Sequence, residues 1–208
     1  MQTEIFPASS ADAIPRALEA LRAGRLVAFP TDTVYGVGAL AFEGEAIRSI
    51  YAAKDRPMEK AIPILIGDVD DLAKVAVEIP EEAHRLAARF WPGALTILVP
   101  KRADLPEAVS ATSTVGVRVP DHDVARALLR ATGPMAVTSA NISGAQSPVT
   151  AREVYDQLGG RIPLIIDGGR TPGGIPSTLV DCTAPDLQIL REGPISLEEL
   201  RSALNNSD

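Results

Sequence analysis

Apolar residues follow two rhythms along the chain. Short apolar runs bounded by Gly, Pro or polar residues read as strands: RLVAFP (25–30), IPILI (62–66), ALTILVP (94–100), TVGVRVP (114–120), MAVTSA (135–140), IPLIID (162–167), STLVDCT (177–183) and LQILR (187–191). Between them lie stretches with helical spacing: 11–23, 44–54, 81–90, 122–131, 150–158 and 196–204. In the second of these, Ala46, Ile47, Ile50 and Tyr51 share one face. Stop and start signals agree with the spacing. Ser9 or Ser10 is expected to cap the first helix, Pro15 falls in its early turns, and Gly24 ends it. Pro57 disfavours helix at Arg56, Pro92 stops the third helix, and Asp121 is expected to cap the fourth. Thr150 with Glu153, and Ser196 with Glu199, have the spacing of capping boxes.

The pattern amounts to about five or six helices and about seven or eight strands, alternating early and strand-rich late, which predicts an α/β fold with a mixed sheet flanked by helices. Parallel pairs are expected from the βα units and antiparallel pairs among the C-terminal strands. No linker or repeat interrupts the chain, so its 208 residues are expected to form one domain, with a core over about 10–195 and a final helix at 196–204. The tail NNSD is expected to fray.

Composition narrows the function. The net charge is −7, with 20 Lys+Arg against 27 Asp+Glu, so strong nucleic-acid binding is not expected. A local basic pocket for a small anion remains open. Cys182 is the lone cysteine, which excludes an internal disulfide and a zinc cluster. MQTEIFPASS lacks the pattern of a signal peptide, and no apolar run approaches the ~20 residues of a membrane helix. A cytoplasmic location is the expectation.

The familiar chemical motifs fail. No P-loop, HExxH or GxSxG occurs. GVGALA (36–41) fits a dinucleotide fingerprint, but TDTVY separates it from the preceding strand and no helix opens on it. His84 and His122 are the only histidines, which gives a serine–histidine triad little support. Polar residues gather instead at strand ends: Thr31 and Thr33; Lys54, Arg56 and Lys60 after the second helix; Thr114 and Arg118; TSAN (138–141); DGGRTPGGIPST (167–178); and Arg191. Ligands of open α/β sheets bind beyond the carboxyl ends of strands. Hydroxyls, backbone amides and several cations suit an anion with many oxygens, such as a nucleotide plus a carboxylate. The chain has four lysines against sixteen arginines, yet Lys54 and Lys60 stand within seven residues of each other. A lysine suits phosphate as a point charge, whereas an arginine forks onto a carboxylate.

Each candidate has a plainer reading. Lys54, Arg56 and Lys60 also fit a solvated helix end that complements the helix dipole. Arg118, between valines, requires a partner, which is either a carboxylate of the chain or a ligand. Ser139 and Asn141 also suit a turn, and DGGRTPGG a mobile loop. Tyr35, exposed by its surroundings in the sequence, also suits a packed aromatic with a tethered hydroxyl. Trp91 and Cys182 read as core residues.

Taken in order, FPTDTVYGVG, AAKDRP, WPGALT, VGVRVP, VTSANISG, and IPSTLVD followed by LREG resemble the YrdC family, the L-threonylcarbamoyladenylate synthases. The resemblance runs from about residue 10 to about residue 195. The chain ends before the extra C-terminal domain of larger members and so resembles the short form. The resemblance implies a twisted mixed sheet with a large concave cavity. It implies that L-threonine, bicarbonate or CO2, and ATP give threonylcarbamoyl-AMP and pyrophosphate, with Mg²⁺ arriving on ATP and no tightly bound organic cofactor. A transient hand-off to tRNA threonylcarbamoyl-transferase proteins would follow. By motif match, Thr33, Arg118, Val137 and Ser177 would hold L-threonine. Lys54, Arg56, Lys60, Thr114, Ser139, Asn141, Ser147 and Arg191 would hold ATP, with Lys54 and Arg56 catalytic, and TDTVYG would floor the amino-acid pocket.

Two positions depart from the family pattern. Leu65 stands where some members carry a histidine, and Lys60 stands where some carry asparagine. Three other readings compete. A dihydroxybutanone-phosphate synthase-like lyase would want clustered acids in the first loop, where Asp32 stands alone. A double-stranded RNA-binding module is opposed by the acidic balance. A carbamoyl-transfer domain like that of hydrogenase-maturation proteins normally accompanies zinc-finger and acylphosphatase modules.

Overall fold

The computed structural model describes residues 1–184 and 186–205. Among these, ten strands form one mixed sheet: β1 (Glu4–Pro7), β2 (Val27–Phe29), β3 (Gly36–Leu40), β4 (Ile64–Leu65), β5 (Leu95–Pro100), β6 (Thr114–Arg118), β7 (Met135–Ser139), β8 (Leu164–Asp167), β9 (Thr178–Asp181) and β10 (Gln188–Arg191). Their order across the sheet is β1-β8-β2-β3-β7-β4-β6-β5-β9-β10. The helices are α1 (Ala13–Arg22), α2 (Gly44–Lys54), α3 (Glu81–Phe90), α4 (Asp123–Thr132), α5 (Ala151–Leu158) and α6 (Leu197–Asn205), with a 3₁₀ turn at Val69–Lys74.

The local signals act largely as their chemistry requires. Thr150 accepts from the Glu153 amide, while Glu153 reaches back to the Val149 amide rather than to Thr150 itself. At α6 the box closes on its own residue: Ser196 N donates to Glu199 Oε2 and Glu199 N to Ser196 Oγ. Gly24 ends α1 at φ +69°, donating to Leu21 O, while Arg25 N donates to Ala20 O. Other expectations are corrected. Asp12 occupies the N-cap of α1 and His122 that of α4, so Ser9, Ser10 and Asp121 do not cap those helices. Strands β1 and β3 lacked a strand-like run; neighbours far away in the chain make them strands. Parallel and antiparallel pairs are also mixed throughout. The C-terminal strands β8 and β9 run parallel to β2 and β5, while β3 and β7 are antiparallel at the centre. Of the tail NNSD, residues 206–208 lie outside the described residues.

Alternation along the strands sorts the core into two layers. One face presents Ala28, Val37, Ala39, Ile64, Ile97, Val117, Ala136 and Val180 to α2, α3, α5 and α6. The other presents Val27, Phe29, Leu65, Met135, Leu164 and Ile166 to α1 and α4. Those two helices cover only part of the second face. Toward β6, β5 and β9 the same face turns to Thr114, Gly116, Arg118, Thr96, Leu98, Ser177 and Leu179, and a cavity opens there.

Candidate active site

The cavity measures about 320 Å³, within the range of small-molecule sites. One end is built by the β2–β3 turn. Thr31 Oγ1 donates to Val34 O at 2.7 Å and accepts from the amides of Thr33 and Val34, which folds TDTV into a tight turn. Its single proton is used there, so in the 3.1 Å contact between the two threonines the hydroxyl of Thr33 is the donor. Thr33 Oγ1 therefore meets the cavity as an acceptor, and already takes a bond from Arg118 Nη1 at 3.1 Å.

Arg118 is 5% exposed. Its Nε donates to Gly93 O at 2.9 Å, and its Nη2 pairs with Asp32 Oδ1. Burial draws its pKa below the ordinary arginine value, and Asp32 opposes that pull. Three of the five guanidinium N–H groups are engaged, which leaves one on each terminal nitrogen for a ligand carboxylate.

Val137 borders the same end. Its amide donates to Pro63 O at 2.9 Å. The N–H and C=O of a strand residue point to the same side, so the Val137 carbonyl also faces Pro63. Pro63 has no N–H to return. That carbonyl receives no ladder bond from β4 and is free to accept from a ligand amine. The floor is kept low by β3. A Cβ on Gly36 would lie 2.7 Å from a Val137 methyl, and one on Gly38 would lie 2.8 Å from both Ala136 O and Val137. The glycines of VYGVGAL stand where Val137 crosses the strand.

Two further cations line the cavity. Arg191 donates from Nε (3.1 Å) and Nη2 (2.9 Å) to Ser177 O, and from Nη2 to Ser177 Oγ at 3.1 Å. Ser177 Oγ also meets Thr96 Oγ1 at 2.7 Å. Arg56 donates from Nη2 to Ala61 O at 2.9 Å and from Nε to Lys60 O at 3.2 Å. Burial lowers the pKa of both arginines, and the Arg56 charge adds to the effect on Arg191. Two like charges facing one cavity favour an anion between them. A hydroxyl wall completes the lining. Ser110 Oγ lies 2.9 Å from Thr112 Oγ1, which lies 3.1 Å from Thr114 Oγ1.

Eight of the twelve residues assigned by the family resemblance thus line one cavity: Thr33, Arg56, Thr114, Arg118, Val137, Ser139, Ser177 and Arg191, with Thr31 and Thr138 beside them. Lys54, Lys60, Asn141 and Ser147 stand outside that lining. Lys54 is 1% exposed, and its Nζ donates to the carbonyls of Ser139, the last residue of β7, and of Asn141 beyond it. Burial, reinforced by Arg56, pushes its pKa down to about 7. Two of its three N–H groups are engaged and one remains. Lys60 is exposed. Asn141 donates to Ile142 O and Ala145 O, and its buried Oδ1 has no partner. Ser147 is half-buried in the same loop. Tyr35 is fully buried, not exposed. Its hydroxyl donates to Gly169 O at 2.7 Å and tethers the glycine-rich loop, and burial pushes its pKa up to about 12.

Sequence reading missed Asp32 as the partner of Arg118, and it missed Thr96, Ser110, Thr112 and Glu59 in the lining. The run SATST (110–114), dense in small hydroxyls before a strand, was the available signal for two of these. Among the described residues, no group of three His, Cys, Asp or Glu side chains is placed to hold a metal ion.

A family model described as telomere recombination, and named for Sua5, YciO and YrdC, matches residues 19–193. The chain belongs to the Sua5/YciO/YrdC family. Within that family it is 44% identical to a threonylcarbamoyl-AMP synthase of Pyrococcus abyssi, over 88% of this chain and 55% of the relative. It thus spans about half the length of that relative. It is 39% identical to a putative threonylcarbamoyl-AMP synthase of Mycobacterium tuberculosis, over 97% of this chain and 95% of the relative. The crystal structure of P. abyssi Sua5 complexed with L-threonine superposes with a TM-score of 0.93 at 42% identity, covering 97% of this chain and 61% of that one. The mixed sheet and flanking helices are the Sua5/YciO/YrdC fold.

Proposed function

We propose that the cavity joins L-threonine, bicarbonate or CO2, and ATP into threonylcarbamoyl-AMP and pyrophosphate, as an L-threonylcarbamoyladenylate synthase of the nucleotidyltransferase class. One observation carries the reading. A single cavity is lined by a carboxylate fork, Arg118 with two unengaged N–H groups, and by two further cations suited to phosphate, Arg56 and Arg191. The relatives' names and the L-threonine complex of P. abyssi Sua5 support the same assignment.

In this reading Arg118 holds the amino-acid carboxylate, and Thr33 Oγ1 and the unpaired Val137 carbonyl accept from its ammonium group. Ser177 closes that subsite beside Arg191. The ammonium releases one proton to solvent, the free amine attacks the carbon of CO2, and a second proton leaves to solvent as the N–C bond of a carbamate forms. A carbamate oxygen then attacks the α-phosphorus of ATP, the bond to the β-phosphate oxygen breaks, and pyrophosphate leaves. No protein nucleophile is required. The chain's part is to bring two anions together and to stabilise charge on the departing phosphates. Arg56 and Arg191 face that charge from the cavity. Lys54 offers its remaining N–H from behind β7, and a triphosphate beside it would restore its proton. Thr114 and Ser139 line the nucleotide end, with Asn141 and Ser147 in the loop after β7 and Lys60 at the rim. Mg²⁺ would enter on the ATP phosphates, with Glu59 as a nearby carboxylate.

The product would pass to proteins that modify tRNA in the cytoplasm. The net charge of −7 counts against RNA binding as the main role. The test is pyrophosphate release from ATP by the purified protein with labelled bicarbonate, with and without L-threonine. Threonine-dependent release with label in an adenylate product is the expected result. Release that ignores threonine would assign the cavity to a different nucleotide reaction, and no release in either case would overturn the enzyme reading.

A further inference from the structure

No step of the proposed reaction uses Thr96, a buried hydroxyl of β5 in the cavity wall. Strands β5 and β6 run antiparallel with Ile97 opposite Val117, so the next pair along sets Thr96 opposite Arg118 on the cavity face. On its other side β9 runs parallel, with Leu179 beside Thr96, and the Ser177 hydroxyl stands 2.7 Å from that of Thr96. Ser177 in turn accepts from Arg191 at 3.1 Å. Arg118, Thr96, Ser177 and Arg191 thus follow one another across β6, β5, β9 and β10. The two arginines are those that would hold the amino-acid carboxylate and the phosphates. Two hydroxyls lie between them.

Their protons can be counted. Arg191 Nη2 fills one lone pair of Ser177 Oγ. A hydroxyl that accepts from a cation becomes a stronger donor and a poorer acceptor of a second bond. Ser177 therefore gives its proton to Thr96 Oγ1. Among the described residues Thr96 Oγ1 has no other partner, so its own proton is the one left over for a ligand. The side chain is also held in place. A Cβ on Gly116 would lie 3.0 Å from the Thr96 methyl, so the bare glycine is what admits that methyl on the β6 side. A β-branched side chain is stiff at χ1, and the hydroxyl stays turned toward Ser177.

A single O–H donor between a carboxylate subsite and a phosphate subsite calls for an acceptor oxygen. The carbamate supplies one. Its nitrogen comes from the amino acid, one of its oxygens attacks the α-phosphorus, and the other oxygen makes no bond to phosphorus. We infer that Thr96 donates a hydrogen bond to this second oxygen, and that the gap between Arg118 and Arg191 is where CO2 is captured. As the amine lone pair forms the N–C bond, one C=O electron pair moves onto oxygen, and the hydroxyl meets the charge that develops there. No proton passes to or from Thr96, and no bond to the protein forms. The inference rests on the L-threonine and ATP reading of the cavity.

Two measurements test it. The first is the dependence of pyrophosphate release on bicarbonate concentration, at saturating L-threonine and ATP, in Thr96→Val and Thr96→Ser. Valine keeps the shape and removes the donor. It is expected to raise the KM for bicarbonate by about 10–100-fold, the scale of one hydrogen bond to a charged group. L-Threonine affinity, measured by calorimetry without bicarbonate, is expected to stay unchanged, and Thr96→Ser is expected to restore the KM. The second measurement needs no variant. In a crystal structure of the wild-type protein with L-threonine, bicarbonate and the α,β-methylene analogue of ATP, a carbamate or bicarbonate oxygen is expected at about 2.5–3.0 Å from Thr96 Oγ1. An unchanged bicarbonate KM in Thr96→Val, an equal loss of L-threonine affinity, a failure of serine to restore the KM, or a crystal complex with no such oxygen on Thr96 overturns this inference and leaves the proposed function standing. An absence of threonine-dependent release by the wild-type protein overturns both.

Discussion

Beneath α1 and α4 the sheet presents Val27, Phe29, Met135, Leu164 and Ile166; a few strands away the same face presents Thr96, Thr114, Gly116, Arg118 and Ser177. Both halves obey one alternation, and Leu65 and Val137 belong to both. The covered half is filled with branched and aromatic side chains because a helix must be met without voids. The open half carries glycine, hydroxyls and arginine because nothing of the chain packs on it. Its opposite surface shows no such change. There Ile64, Ile97, Val117 and Val180 continue under the other helices without a break. Stability thus comes from one whole face of the sheet and the covered part of the other, and the open part is left for binding.

Substitutions can break this contrast in order of expected size. Arg118→Ala leaves Asp32, 13% exposed, without its partner, which costs about 3–5 kcal/mol of stability in urea unfolding and abolishes L-threonine binding. A loss under about 1 kcal/mol would show that the pair is already solvated. Leu128→Ala, in the covered half, removes a fully buried side chain of α4. Its cost is about 2–5 kcal/mol with the KM for threonine unchanged. A raised KM with intact stability would merge the two halves that the structure separates.

Lys54→Ala is expected to lower turnover by about 10²–10³-fold in the pyrophosphate assay, the scale for one charge-stabilising donor. Wild-type turnover would confine Lys54 to tying the chain after β7. The same residue sets a pH dependence. Below about 7 the folded and unfolded chains both hold its proton, and the folded chain bears the full cost of a buried charge. Between about 7 and 10.5 the folded chain releases a proton that the unfolded chain keeps. Stability relative to Lys54→Met should therefore rise with pH across that window, by up to about 1.4 kcal/mol per pH unit. Parallel stability curves for the two proteins would contradict the buried charge.

The smallest effect concerns the floor. Gly38→Ala places a methyl 2.8 Å from Ala136 O and a Val137 methyl. A destabilisation of about 1–3 kcal/mol, with weaker threonine binding as Val137 is displaced, is the expected outcome. Unaltered thermal stability would mean that β3 and β7 separate more readily than their register suggests.

Much of this was legible beforehand where the deciding physics is local. The bounds of α2 and α3 follow from apolar spacing and from Pro57 and Pro92; that Asp55 closes α2 in the left-handed conformation was seen only in the structure. The boxes at Thr150 and Ser196 are contacts between residues three apart. Arg118 between valines announced a buried cation, and a buried cation requires a counter-group. Its identity, Asp32, is 86 residues away and could not be read from spacing. Lys54 looked like a helix-end charge aimed at phosphate. Its amine instead turns into two carbonyls, one on the last residue of β7 and one just beyond it.

The sequence by itself determined the α/β class, most of the helices, the polar strand ends and the family resemblance, because these rest on short-range periodicity and on ordered motifs. Tertiary structure alone decided that GVGAL is a central strand, that MQTEIFP contributes an edge, and that the SATST hydroxyls join the cavity wall. It also decided which half of one face stays uncovered. Strand pairing and cover depend on groups distant in the chain competing for the same hydrogen bonds and the same apolar surface. That competition is settled only when the whole sheet is assembled.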